Sequence, residues 1–389
     1  MSAFSPDAAR AFSGEWSEFR LAAAERFAAA PMPTTDEEIW RYSRIDKFDL
    51  TAFTPAPSNT EVTGPSDLDS YVVTDVEPDV VAGDAPDVFA ELNRAFMSPI
   101  VVKVPAGTVV SEPIVVLHTV GGSGTAIFPR LVIDAGENSE VTVIERFVAA
   151  ADADADHTLV VPVLQVRAAQ AARVKYVAIN EVGAATWQIG NQQSVGERDS
   201  STLLATVTLG GEYVRARTEA RLSGQGSTTK QVALYFAGGD QMHDFRTIQD
   251  HDAPHTTSDL LFKGAVQDSA ASVYTGNIVI REHAGGTVAD QTNRNLTLSD
   301  GAWAESVPNL DIRTNDVKCS HASTVGPIDE DQRFYLESRG VRPEVAERLV
   351  VLGFFDEVIS QLPAGDITND LRRRVADKLD LGTRQEVSS

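Results

Sequence analysis

The strongest chemical signal in this chain is Cys319, its only thiol, with His321 two positions on. Thiolate and imidazole together suit iron, copper or zinc. A closed structural site takes four ligands, so the pair is incomplete unless another chain supplies the rest. A Cys–His nucleophile pair is a second chemistry, but such partners ordinarily lie far apart in sequence. Taken alone, the residue types favour a third reading, a small buried cysteine beside a hydrogen-bonded histidine.

Three other constellations compete. His251 and His255 are four apart, which on a helix would put two ligands on one face, as in zinc proteases. Pro254 between them is costly in a helix, Asp252 stands where those proteases carry Glu, and the flanks read as strand, so a loop or strand edge is expected. Asp240, Asp244, Asp250, Asp252 and Asp259 form an acidic cluster, and paired carboxylates are the machinery of glycoside hydrolysis. A carbohydrate-active β-helix enzyme using the acids around 240–259 is therefore the alternative function. Among 56 acidic residues such clusters arise by chance, and solvated turn acids explain them better. A zinc-dependent hydrolase built on His251, His255 and Cys319 is a third candidate. Gly121, Gly122, Gly124 and Thr125 lack the lysine and the following helix of a phosphate loop.

Composition narrows the classes. The formal charge of −23 repels nucleic acid and anionic membrane surfaces; it favours solubility or a basic protein partner. One cysteine forms no intramolecular disulfide, which fits a reducing cytosol. Residues 1–20 have no apolar run behind positive charge, and no stretch approaches the roughly 20 apolar residues of a spanning helix. A cytoplasmic protein is expected.

The elements that must position these residues divide the chain. Phe12, Trp16, Phe19, Ala23 and Phe27 make a helical stripe over 7–30, ended by Pro31 and Pro33. A short helical signal surrounds Ile39, Trp40 and Tyr42. The stretch 51–68 is rich in Pro, Thr, Ser and Asn and reads as loose linker. From about 98, short β-branched runs recur at 100–104, 114–117, 131–133, 141–144, 159–166, 174–179, 203–209, 232–236, 260–262 and 273–280, punctuated by Gly, Asp, Asn and Ser. No amphipathic helix falls between about 98 and 315, which excludes a doubly wound α/β domain. A β-sandwich and a parallel β-solenoid both remain. The absence of an Asn-Gly or Asp-Gly pair at tight-hairpin spacing favours the solenoid, with coils of roughly 20–25 residues and about nine or ten of them.

Helices return after Gly326. Asp329 with Gln332 suggests a capped start, and Gly340 an end. Pro343 opens a second helix that stops before Pro363; a third carries Leu371, Val375 and Leu379 and ends at Gly382. The expected division is a helical region over 1–50, a linker over 51–97, a β core over 98–318 and a helical region over 319–389. A solenoid requires covered ends, so the helical regions are expected to cap it.

One long resemblance bears on the function. Val317, Lys318, Cys319, Ser320, His321 and the run through Asp329, then Arg333, Phe334, Tyr335, Leu336, Glu337, Ser338 and Arg339, resemble the C-terminal signature of the SufB/SufD family. Upstream, Gln291, Thr292, Asn293, Arg294 and Asn295, then Val307, Pro308, Asn309 and Leu310, continue the likeness, as do Gly276, Asn277 and Ile278. Glu38, Ile39, Trp40, Arg41 and Tyr42 look like the family's N-terminal tryptophan motif. Ala322 and Ser323 depart from it, since the family more often has Gly-Ala there. The chain length and the lone cysteine point to the SufD branch.

That resemblance implies a right-handed parallel β-helix core with helical N- and C-terminal regions. It implies a non-catalytic subunit that pairs with a SufB-like subunit through the β-helices and binds a SufC-like ATPase through its C-terminal helices. Phe354, Phe355, Asp356 and Val358 are the expected ATPase contacts. His321 matches the family histidine at the SufB–SufD interface, where a transient iron–sulfur cluster forms, and Cys319 the neighbouring cysteine. No cofactor is expected on the isolated chain, and the sequence does not decide between a homodimer and a heterocomplex.

Overall fold

The computed structural model describes residues 3–12, 16–73, 85–151, 153–363 and 366–386. Successive core strands alternate between two sheets, so each coil lays one strand in each. The first sheet stacks Ser98–Val104, Pro129–Ala135, Val163–Ala168, Thr186–Gly196, Tyr213–Leu222, Met242–His251, Ala271–Ile280 and Trp303–Ile312. The second stacks Ile114–Val120, Glu140–Ala149, Arg173–Glu181, Ser201–Thr208, Thr228–Ala237, Thr257–Val266, Thr287–Thr297 and Val317–Gly326. Pairing between these coils is parallel throughout. The core is the β-solenoid, of about eight turns, and not the sandwich.

The coils are longer than the expected 20–25 residues. Val177, Ala205, Val232, Leu261 and Thr292 stack in one column, with steps from 27 residues (232 less 205) to 31 (292 less 261). Each coil spends its length on two strands, many of 10 residues, rather than on several short ones. Where helices cover the outer face as well as the lumen the inner one, strands carry continuous apolar runs such as 232–236, all buried, while strands such as Ile114–Val120 alternate buried and half-buried residues.

A repeat hidden in the sequence sits at the turns. Seven of the eight crossings from the first sheet to the second carry one residue at positive φ, Gly107, Asn138, Ala171, Asp199, Gly226, His255 and Gly286, at 55–75°; the last crossing, 313–316, carries none. The backbone N–H of each donates to a carbonyl of the next coil, as Asn138 does to Gln170 and His255 to Gly285. Only the conformation repeats along this ladder; the residue type varies among Gly, Asn, Asp, His and Ala.

Among the described residues six α-helices flank the core: α1 Pro6–Phe12, α2 Ser17–Ala29, α3 Val88–Phe96, α4 Glu330–Ser338, α5 Pro343–Ile359 and α6 Asp366–Glu386. The single helix expected over 7–30 is two, and Trp16, with φ 53°, stands just before the second. The expected linker over 51–97 contains the strand Asn59–Thr63, antiparallel to Ile114–Val120, and α3, whose Asp87 side chain accepts from the Ala90 N–H. Asp329 caps α4 by accepting from the N–H groups of Asp331 and Gln332, and Gly340 follows at φ 86°. α6 continues past Gly382, where an end was expected.

These helices cover the faces of the solenoid, not its ends. Phe27, Phe89, Phe96 and Trp40 join Phe128, Trp187 and Tyr213 over the first sheet. Val351, Phe355, Val358, Leu371 and Val375 join Val207, Leu234 and Phe236 over the second. Asn59–Thr63 and Val72–Val73 pair antiparallel with the first coil at the other end. The last coil, Trp303–Ile312 and Val317–Gly326, pairs on one side only among the described residues. The strand carrying Cys319 and His321 therefore belongs to the β core, beyond the expected boundary at 318. No helix among the described residues is long and apolar enough to cross a membrane.

Candidate functional site at the open coil

Side chains two apart on a strand share a face, and register shows which face Cys319 and His321 share. Cys319 stacks on Ala289 and His321 on Gln291. Ala289 and Gln291 are buried toward the lumen, at 0% and 2% exposure. Cys319 and His321 thus line the lumen where it opens at the last coil. Across it, Ser323 Oγ donates to Ser306 Oγ at 2.7 Å, joining the two sheets.

Depth separates the pair. Cys319 is half-buried and packs beside Ile278, Ile280, Ala284 and Ala289. His321 is exposed. Burial and the Asp290 carboxylate push the Cys319 thiol above its ordinary range, so it is a poor nucleophile at neutral pH and becomes a thiolate only when a metal or other cation repays the deprotonation. Asp290 itself accepts from the Ser320 hydroxyl. Among the described residues no group of three or more His, Cys, Asp or Glu side chains converges on a metal position. Leu310, Ile312 and Val325, all large and exposed, rim the same opening, whereas Trp303 lies on the outer face beside Tyr42. The alternation of 319, 321, 323 and 325 along one strand was available as a signal for this face; the apolar rim was not.

The competing constellations are structural. Asp244 is fully buried on the outer face of the first sheet, where Arg215 donates to it at 2.5 Å and Arg246 at 2.6 Å. Asp250 and Asp252 pair with Arg281 and Arg221, and Asp259 with Lys230. His251 lies in the lumen, hydrogen-bonded to Thr256 at 2.7 Å and Ser258 at 2.9 Å, while His255 occupies the positive-φ turn. These two histidines and Cys319 do not form a metal cluster. In the glycine loop, the Gly122 N–H donates to the Asp156 carboxylate at 2.7 Å, so the loop binds its own anion.

The expected ATPase contacts divide by burial. Phe355 and Val358 are fully buried against the second sheet and cannot touch a partner. Phe355 and Val358, three apart, belong to the inward stripe of α5. Phe354 takes Lys263 Nζ over its ring at 4.4 Å, and exposed Asp356 accepts from Arg372 at 2.7 Å. The outward apolar surface belongs to Phe334 and Tyr335 of α4 and Leu349 of α5, at 70%, 59% and 47% exposure. Tyr335, Leu349, Phe354, Arg294 and Asp331 line a cleft of about 750 Å³ between these helices and the second sheet.

Comparison with known proteins follows this geometry. The family model described as "SUF system FeS cluster assembly, SufBD core domain" matches residues 118–354. The chain is 32% identical to an iron–sulfur cluster assembly SufBD family protein of Mycobacterium tuberculosis (strain CDC 1551 / Oshkosh), over 91% of each chain. It is 28% identical to the iron–sulfur cluster assembly protein SufD of Escherichia coli (strain K12), over 79% of this chain and 72% of that one. Against SufD of Bacillus subtilis (strain 168) the identity is 28%, over 69% of this chain and 61% of the other.

Proposed function

This chain belongs to the SufB/SufD family and has a role in iron–sulfur cluster assembly, and from that premise we propose that it is a non-catalytic scaffold subunit that completes its site only against a partner. The observation that carries the reading is the open last coil, with an incomplete His–Cys pair at its mouth and an apolar rim around it. A SufB-like subunit seats on this coil, because unpaired parallel edges and exposed Leu310, Ile312 and Val325 are a liability until they are covered. The cargo is a nascent cluster at the junction. His321 is the primary ligand and Cys319 the secondary one, since iron–sulfur sites take thiolate and sometimes imidazole. The high thiol pKa keeps Cys319 protonated until iron arrives. A SufC-like ATPase docks on the outward side of α4 and α5 through Phe334, Tyr335 and Leu349, with Phe354 and Asp356 at the margin.

The test is co-purification from the native cytosol combined with His321→Ala. A SufB-like and a SufC-like partner are expected with both proteins. The variant is expected to fold and assemble with stability within about 0.5 kcal/mol of the parent, because the side chain is exposed, and to fail in cluster maturation. Unfolding of the variant, or full maturation by it, would remove His321 from the site; absence of both partners would remove the scaffold reading.

A further inference from the structure

The lumen beneath Cys319 and His321 mixes apolar clusters, such as Ile278, Ile280, Ala284 and Ala289, with buried polar side chains. Gln231, Gln249 and Gln291 point into it at 0%, 0% and 2% exposure. Gln231 and Gln249 have both amide atoms buried without a hydrogen-bond partner, whereas the Gln291 amide also approaches the Tyr274 hydroxyl. Their positions are related. Gln231 and Gln291 occupy one column of the second sheet, with Leu260 between them. Gln249 lies in the first sheet, in the layer of Leu260, stacked between Ala220 and Ile278. The three amides therefore fall in three successive layers, and the last stands directly under His321.

The wall around them is built for polar company. Gly276 faces Gln291, and a Cβ there would lie 2.4 Å from the Gln291 amide nitrogen and 2.3 Å from the Tyr274 hydroxyl, so the glycine keeps space where these two groups approach. Tyr274 in turn hydrogen-bonds Thr247 at 3.0 Å. Each buried amide carries donors and an acceptor, and the four atoms of Gln231 and Gln249 left dry would cost a large share of a marginal fold's stability.

We infer that ordered water molecules occupy the lumen between Gln231, Gln249 and Gln291, forming a short file that ends beneath His321. The ligand class follows from the lining. Amides and hydroxyls offer donors and acceptors together and no net charge, which suits water and penalises an unpaired ion. His251, in the layer of Gln249, stays neutral, its pKa lowered to about 4 chiefly by burial. The consequence for the site rests on the scaffold reading: the water on Gln291 provides the acceptor that holds the second ring nitrogen of His321 while the other meets the cluster.

The experiment is a high-resolution crystal structure of the full chain, with thermal unfolding of Gln249→Leu and of the Gln231→Leu/Gln249→Leu pair. Water density bridging the amides is expected, with a lower Tm in both variants, because leucine strands water that the amides had held. A dry lumen, amides bonded directly to one another, or a higher Tm on replacement by leucine would overturn the inference. These readouts do not involve cluster assembly, so their failure leaves the scaffold reading standing. Failure of His321→Ala to impair maturation leaves the water file standing.

Discussion

Replacing Phe355 with alanine separates packing from partner contact on α5. The side chain is fully buried, with its ring 6.0 Å from Phe236 of the second sheet and 5.3 Å from Phe354. Removing it forfeits the transfer energy of a buried aromatic and leaves a cavity between helix and sheet, together about 3–5 kcal/mol. The loss falls on the unit made by α5 and α6, since Val351, Val358, Leu371 and Val375 share its cluster. At about 1.4 kcal/mol per decade, the opening equilibrium of that unit rises roughly 10²- to 10³-fold or more. Native-state hydrogen exchange reads this: amides of α5 and α6 accelerate by that factor, while strands at the far end of the solenoid, such as Ser98–Val104, keep their rates. Tyr335→Ala on α4, at 59% exposure, changes exchange little and weakens ATPase binding. Unchanged exchange in Phe355→Ala would refute the claim that this stripe fastens the cap.

Three more outcomes follow from buried groups and turns. Asp244→Ala leaves the guanidinium groups of Arg215 and Arg246 buried without their carboxylate, and urea unfolding should show a loss of about 3–5 kcal/mol; the same arginines donate to the Ile39 and Arg41 carbonyls, so the Trp40 segment loosens with it. Acid weakens the fold through His243 and His251, whose folded pKa values are lowered by burial to about 3 and about 4. Unfolded histidine binds a proton below about 6.5. Their stabilisation is therefore present above that pH and lost as pH falls toward the folded values, roughly 2 kcal/mol for each histidine between pH 7 and pH 5, read as a shift in urea midpoint. Ala171→Gly relieves a non-glycine residue at φ 55° and should raise Tm, by about 0.5–1 kcal/mol of stability; a lower Tm would mean the turn does not carry that strain.

Much of the fold was legible because it is written locally. The β-branched runs after 98, the absence of an Asn-Gly or Asp-Gly pair at tight-hairpin spacing and the capped start at Asp329 each follow from short-range chemistry, and the solenoid and α4 bear them out. Coil length was not legible, because the repeat lies in backbone conformation at Asn138, Ala171, Asp199 and His255, and no residue type marks it. The acids of 240–259 looked like a catalytic cluster because most of their partners, Arg215, Arg221 and Arg281, lie in other coils, although Arg246 stands two residues from Asp244 on the same strand.

By itself the sequence determined the family, the strand-rich core between helical ends, and Cys319 and His321 as the residues with chemistry to offer. Only the tertiary structure decided what those residues face. The helices cover sheet faces and leave the last coil open, because the apolar outer surfaces of both sheets outweigh one terminal layer. That opening puts His321 at the surface and Cys319 partly beneath it. It also turns Phe355 and Val358 inward and leaves Phe334 and Tyr335 outside. Spacing along a chain fixes which residues share a face, but the elements packed around that face fix whether it meets core, solvent or a partner.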